Sequence, residues 1–521
     1  MVTRARRLAR GPNLDNLTGA MPNDFSPFVP QERDLRTTAI LEWLAHARGH
    51  DGGGDPDELL DNLAKLRESS AAGEQRLAML DLLQAQAGCL CAAELPDLGG
   101  HAFPVSRPLR QKARAIQEAL DILIHEYVDS LAMLFDPEAP GGPRNPEATL
   151  RRILQCCGWH LAVSHAISAP DGVELWGHIH ASYRAARRLG IAQMPGSDGE
   201  PALETLYGRL VLAAVARPSS FRPDELVFVR SYIDQATRPL EILETAPRDR
   251  DGLFWIDLES DFPAYAVKRR PPPAEAPALF FAADLVARDA AEHLAALEDP
   301  IGPMPSSLPP EAATPAGMAT LRRLAELWGR PTKRRFPRRK RSSRSELVVG
   351  FGRLWQALHA PVAAPASQWM VTNESPDGYA LMHIAGDTTG LAVGEVAAVR
   401  HGEEDPSGAA SWQVGLIRWA LSENPEHVEI GLQQLAAQAV PARVVRSAGD
   451  GGNVSALLLP PSPPARIAPA LLLPAGVLSA NDRRLAVLVE QGNLRVCEFD
   501  VTGVAERGPS IEVFNLAVAE P

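Results

Sequence analysis

The sequence predicts an α+β multidomain fold. An N-terminal helical bundle or tetratricopeptide-like array leads into an all-β C-terminal half with a small barrel and an additional β-module. Three observations carry this. A chain of 521 residues exceeds one ordinary domain, and roughly 100–200 residues per unit gives three or four. Apolar residues recur every three or four positions from about 35 to 245, the spacing that lines one helix face. After about residue 340 the period shortens to two, in β-branched or aromatic runs broken by Gly, Pro, Asp or Asn.

Residues 1–34 are polar and unpatterned and read as a flexible tail. The helical domain follows over 35–245. Ile116, Leu120, Leu123, Tyr127, Leu131 and Leu134 stand at helical spacing, as do Leu150, Ile153, Leu154, Cys157 and Leu161. Turn residues break the pattern at 50–57, 135–147 and 194–201. A helix start is expected over 220–225, where Pro223, Asp224 and Glu225 fill a first turn. No residue pattern repeats at a fixed period, so bundle and array both stay open.

Residues 246–300 form a mixed α/β connector, with β-rich GLFWIDL and PALFFAADL and a short helix, DAAEHLAALE. Residues 301–332 read as a Pro-rich linker plus one helix over 318–328. The barrel spans 333–441, its strands drawn from SELVVGFGRLW, SQWMVTNE, GYALMHI, VGEVAAVRH, ASWQVGLIRWAL and HVEIGLQQL. An accessory β-module completes 442–521, with a hairpin turn at Gln491-Gly492-Asn493.

Charge and composition exclude several functions. A net charge of −12 argues against general nucleic-acid binding, which needs a broad basic surface. Five cysteines with no C-x-x-C pair suit a reducing cytoplasm and predict neither a disulfide framework nor a zinc knuckle. The basic N-terminus lacks the apolar run of a signal peptide, and no stretch reaches 18 uninterrupted apolar residues, so no membrane span is expected. Gly350-Phe351-Gly352 lacks the third glycine of a dinucleotide fingerprint and is read within a strand. His160, His165, His178 and His180 read as ordinary surface or core histidines. Cys89, Cys91, Cys156 and Cys157 read as small buried residues. No base–nucleophile pairing is legible, so no catalytic residue, metal, cofactor or enzyme activity is predicted.

One segment departs from the acidic background. TKRRFPRRKRSSR, over 332–344, holds eight cations and no acid. Arg334 and Arg338 are four apart, as are Arg335 and Arg339, and Pro337 between them resists helix formation. The planar guanidinium fork makes paired bonds to phosphate and to the O6/N7 edge of guanine. A second segment, NESPDG over 373–378, reads as a turn between strands. There Asn373 and Ser375, two apart, share a face, and Gly378 permits a close approach.

Together these segments resemble the PilZ domain. Its R-x-x-x-R pair precedes a β-barrel, and [D/N]-x-S-x-x-G follows between strands, as RRFPR (334–338) and NESPDG do here. WQVGLIRW (412–419) and EIGLQQL (429–435) are similar to that family's closing strands. The resemblance covers 333–441, about a fifth of the chain. It implies a receptor for cyclic dimeric GMP. Arg334, Arg335, Arg338, Arg339, Asn373, Ser375 and Gly378 are then the ligand-binding set, and either arginine pair satisfies the spacing. The function implied is a bacterial cytoplasmic signalling effector that couples nucleotide binding to an unidentified protein partner through the helical domain. The alternative is a non-binding PilZ-like adaptor or chaperone-like scaffold.

Overall fold

Proline and short polar side chains start the helices, as their capping chemistry dictates. Asp55 accepts from the Asp57 amide at 3.0 Å ahead of Pro56, and Thr314 accepts from the Gly317 amide at 3.0 Å ahead of Pro315. At the helix start expected over 220–225, the Glu225 carboxylate accepts from the Arg222 amide at 2.8 Å.

The computed structural model describes residues 35–47, 54–100, 103–132, 145–248, 250–273, 277–299, 302–331, 336–359, 366–401, 411–424, 426–445, 453–463, 468–479, 482–491 and 493–518. The tail over 1–34, Leu134, Arg334, Arg335 and Gly492 lie outside the described residues.

Eight helices come first: α1 (Leu35–Ala47), α2 (Pro56–Glu68), α3 (Gly73–Gly99), α4 (Arg107–Ala132), α5 (Pro146–Ala166), α6 (Leu175–Arg188), α7 (Leu203–Val215) and α8 (Pro223–Ala236). The face read from the spacing is the buried one: Ile116, Leu120, Leu123 and Tyr127 of α4 are at most 1% exposed. α3 packs against α1, α2, α4, α5 and α8 at once. Stacked repeats touch only their neighbours, so of the two arrangements left open this is a bundle.

A three-stranded antiparallel sheet follows, in the order β2-β1-β3, from β1 (Leu253–Ile256), β2 (Tyr265–Ala266) and β3 (Leu279–Ala282). Next come α9 (Asp284–Glu298) and α10 (Pro315–Gly329). Phe254, Ile256, Phe281, Val286 and Trp328 join the helical core, and Trp328 Nε1 donates to the Leu212 carbonyl at 3.2 Å. Among the described residues no helix is long and apolar enough to cross a membrane.

The C-terminal half is two closed six-stranded barrels. The first comprises β4 (Arg339–Val349), β5 (Ser367–Ser375), β6 (Gly378–Ala385), β7 (Val396–His401), β8 (Gln413–Asn424) and β9 (His427–Ala436), closed as β4-β5-β6-β9-β8-β7. The second comprises β10 (Val440–Val445), β11 (Val454–Leu459), β12 (Ala470–Pro474), β13 (Arg484–Gln491), β14 (Asn493–Arg507) and β15 (Ile511–Val518), closed as β10-β11-β12-β15-β14-β13. Counted from its own first strand, each barrel has the same order.

Two readings need correction. Gly350, at φ +93°, ends β4, and Phe351–His359 is a helix, α11, rather than the rest of a strand. Arg353, Leu354, Gln356, Ala357 and Leu358 are good helix formers, and no alternation survives beyond Val349. Cys89 is exposed rather than buried, while Cys91, Cys156 and Cys157 are buried.

Two joints position the first barrel. At one, Phe103 from the loop before α4 enters the apolar cluster that fills the barrel, beside Val428 and Ile430. Arg110 of α4 is buried there. It donates to the Ser422 carbonyl at 2.9 Å and to Ser422 Oγ at 3.0 Å, while the Ser422 amide donates to the Ser168 carbonyl at 2.8 Å. At the other joint the barrels share one apolar cluster: Val348, Leu354 and Leu416 pack with Leu457, Leu472 and Val513.

Candidate functional site

The site is built by the pairing of β4 with β5. Arg339 opposes Glu374 and Lys340 opposes Asn373, so the basic segment runs alongside the polar turn. One further step in that register sets Arg338 opposite Ser375. Opposed residues of an antiparallel pair share a face. Lys340, Asn373, Ser375 and, by extension, Arg338 therefore occupy one face, and Arg339 and Glu374 the other. β5 produces this: Val371 points into the barrel, but the register against β6 shifts between Val371 and Asn373 and turns Asn373 outward, while β4 alternates from Arg339 through to the inward Leu347 and Val349.

The face carrying Asn373 is the outer one. Along the same row Asn373 opposes Ala380, Ala380 opposes Gly431, and Gly431 opposes Trp419. A Cβ on Gly431 would lie 1.8 Å from Trp419 Nε1, so the glycine is what lets the indole lie flat across β9. The outer wall thus reads Lys340, Asn373, Ala380, Gly431, Trp419: a cation, an amide, a small-residue floor and a half-exposed aromatic face. Trp419 was missed in the sequence because its placement depends on cross-strand register. The one local signal was a glycine in β9 beside a run ending in tryptophan.

The turn is held by its own groups. Ser375 Oγ donates to Asp377 Oδ1 at 2.6 Å and contacts the Gly378 carbonyl oxygen at 3.2 Å, while the Gln434 amide donates to the Asp377 carbonyl at 2.9 Å. Gly378 sits at φ +152°, and a Cβ there would lie 2.0 Å from the Leu432 carbonyl oxygen. Glycine is therefore required by a close approach as well as by the backbone angle. The Asn373 side chain makes no hydrogen bond among the described residues, so its amide group remains available.

On the inner face, at the barrel mouth, Arg341 pairs with Glu374. Tyr379 donates to Gln413 and meets His401 edge-on at 5.2 Å. Burial, and then the Glu374 charge, push the Tyr379 phenol up to about 12, so it stays a neutral donor. The described residues hold no group of three or more His, Cys, Asp or Glu that could hold a metal ion.

Of the sequence-predicted residues, Arg338, Asn373, Ser375 and Gly378 come together at one edge of the barrel. Arg339 is beside them but on the opposite face, and Arg334 and Arg335 are outside the described residues.

Comparison with known families bears on the barrel. Residues 356–441 match the middle PilZ domain of the cyclic-di-GMP receptor FimW. The chain is a PilZ-domain protein. Residues 38–247 match the N-terminal domain of the same receptor, and the two matches together span more than half the chain. The PilZ match begins inside α11, yet β4 and the basic segment close the same barrel. No curated protein matches. Among solved structures, the inhibitor of motility MotI/DgrA of Bacillus subtilis is similar at 9% identity over 34% of this chain and 88% of its own, with a TM-score of 0.11. The second barrel repeats the PilZ strand order without its polar segments. Ala437, Gln438 and Ala439 precede β10, and a proline-rich stretch over 460–464 joins β11 to β12.

Proposed function

We propose that the chain is a cyclic dimeric GMP-binding signalling effector, with the ligand held on the outer wall of the PilZ barrel. The observation that carries this is the β4–β5 register, which pairs Lys340 with Asn373 and Arg339 with Glu374 and, carried one step beyond Arg339, sets Arg338 opposite Ser375. That register favours Arg334/Arg338 over Arg335/Arg339 as the gripping pair, because Arg338 shares the outer face with Asn373. In this reading the two arginines take phosphate oxygens and a guanine O6/N7 edge, and Asn373 takes a second polar base edge. Gly378 keeps the turn tight, and Trp419 offers a flat face for a guanine. Charge-assisted bonds contribute roughly 1.5–3 kcal/mol each, and three or four reach the roughly −8 kcal/mol of micromolar binding. The role is binding, not catalysis.

The output runs through the helical domain. β9 begins at His427, by the turn that carries Glu423 to Arg110, and reaches Gln433 opposite Gly378 at the ligand end. Strain imposed at Gly378 is thereby delivered along β6 and β9 to α4. Calorimetric titration of the full chain with cyclic dimeric GMP is the test. Saturable micromolar binding is expected, about tenfold or more weaker in Arg338→Ala and in Asn373→Ala, and changed far less in Arg339→Ala. Absence of binding by the folded wild-type chain sinks the proposal, and equal losses at Arg338 and Arg339 sink the choice of pair. Ligand-dependent hydrogen exchange in α4 is the expected sign of coupling.

A further inference from the structure

Within the helical domain, α5, α7 and α8 leave a groove of about 190 Å³. Leu154, Trp159, Leu206, Leu210 and Ala213 give it apolar walls, and Gln155, His165, Arg209 and Asp234 add polar groups to the lining. It also holds a guanidinium. Arg230 lines the groove and, among the described residues, makes one hydrogen bond, from Nη1 to the Gly158 carbonyl at 3.2 Å. It makes no ion pair among those residues.

The charged neighbours are engaged elsewhere. Asp234 sits at the rim, its carboxylate 3.4 Å from Arg209, which also donates to the Asp234 carbonyl at 2.8 Å. Asp171 takes His165 at 2.9 Å and Trp176 Nε1 at 2.9 Å. The Cys91 thiol, pushed up to about 12 by burial, is neutral. Burial lowers Arg230 to about 10, so it is still a cation at neutral pH. Asp234 on the same groove attracts Arg230 through space but pairs with Arg209, and a largely buried cation beside apolar walls that is bonded to no carboxylate is completed by a monoanion. A carboxylate matches the guanidinium fork best.

Size narrows the class. Pockets for drug-sized ligands run to roughly 300–1,000 Å³, whereas a cavity of about 150 Å³ accepts benzene. A dinucleotide does not fit. We propose that this groove binds a small monocarboxylate whose apolar body has about six to eight carbon atoms, the body on the α5 and α7 walls and the acid group on Arg230.

The test titrates octanoate, with 1-octanol as the uncharged control, into the full-length protein by calorimetry. One octanoate per chain is expected, with 1-octanol at least tenfold weaker. Arg230→Met should weaken octanoate at least tenfold without altering 1-octanol, and Ala213→Phe, which fills the groove and leaves the charge, should abolish both. The proposal is overturned if wild-type protein takes up no octanoate, or takes 1-octanol as tightly. It is equally overturned if folded Arg230→Met binds octanoate normally. Should Arg230→Met fail to fold, Ala213→Phe decides alone, and undiminished octanoate binding by it overturns the assignment.

Discussion

Glu374 stands between Asn373 and Ser375 in β5 and holds Arg341 at the barrel mouth. On the proposed reading it is an acid beside a dianion's seat, and it already occupies one of the basic segment's cations. Glu374→Gln should tighten cyclic dimeric GMP binding by about two- to fivefold, the scale of one exposed ion pair, with the gain shrinking as salt rises. Titrations at low and high salt read this directly, and weaker binding by the variant would contradict it. Histidines supply a second residue-scale prediction. His180 accepts from Tyr207 OH at 2.9 Å through Nδ1 and donates from Nε2 to the Phe262 carbonyl at 2.8 Å, an arrangement that suits the neutral ring. Burial lowers the folded-state pKa of His160, His178 and His180 below the ordinary 6.5. The unfolded chain therefore binds these protons first, so the stability is present above pH 6.5 and falls as pH drops below it. Denaturant midpoints at pH 7.5 and pH 5 should show the loss, and His180→Gln should reduce it. Midpoints that do not move between the two would refute the assignment.

At the scale of elements, the joint of α4 with the β8–β9 turn decides how the halves communicate. Arg110 satisfies the carbonyls of Ser422 and Glu423, and that of Ile167 at 3.4 Å. Its replacement by Met strands those acceptors and should cost about 2–4 kcal/mol. Unfolding should then separate into a helical and a barrel transition. One unshifted cooperative transition would show that the joint couples nothing. The helices themselves were legible because burial follows a local 3.6-residue period. The strands were legible for the same kind of reason, except where Gly350 turned the chain into α11. The site was legible only in part. The spacing of Arg334 and Arg338 and the polar turn are one-dimensional features. Which arginine shares a face with Asn373 depends on a register shift in β5, between Val371 and Asn373, that no local signal announced.

The whole molecule is held by two barrels sharing an apolar seam. Val348, Leu354, Val396, Ala398 and Leu416 of the first barrel region are buried with Leu457, Leu459, Leu472, Ile511 and Val513 of the second. Across the same seam Arg418 pairs with Glu506, and Trp355 Nε1 donates to the Ala442 carbonyl at 3.3 Å. Ending the chain after Ala439 would expose the first barrel's half of this cluster, an apolar patch larger than soluble monomers tolerate. Such a truncation should run as aggregates in size-exclusion chromatography. A monomer with the full-length melting temperature would show the barrels to be independent.

Composition and periodicity alone determined the helical half and the all-β half, because each is written in local spacing, and the resemblance to the PilZ domain joined the two polar segments. Only the tertiary structure decided that the helices form a bundle, that the connector belongs to their core, and that the C-terminal module is a second barrel of the same strand order. It also decided that Arg339 takes the face opposite Asn373, and that Trp419 lies on the same wall as Asn373. These are relations between residues distant along the chain, set by strand register and burial, and no short window of sequence contains both partners.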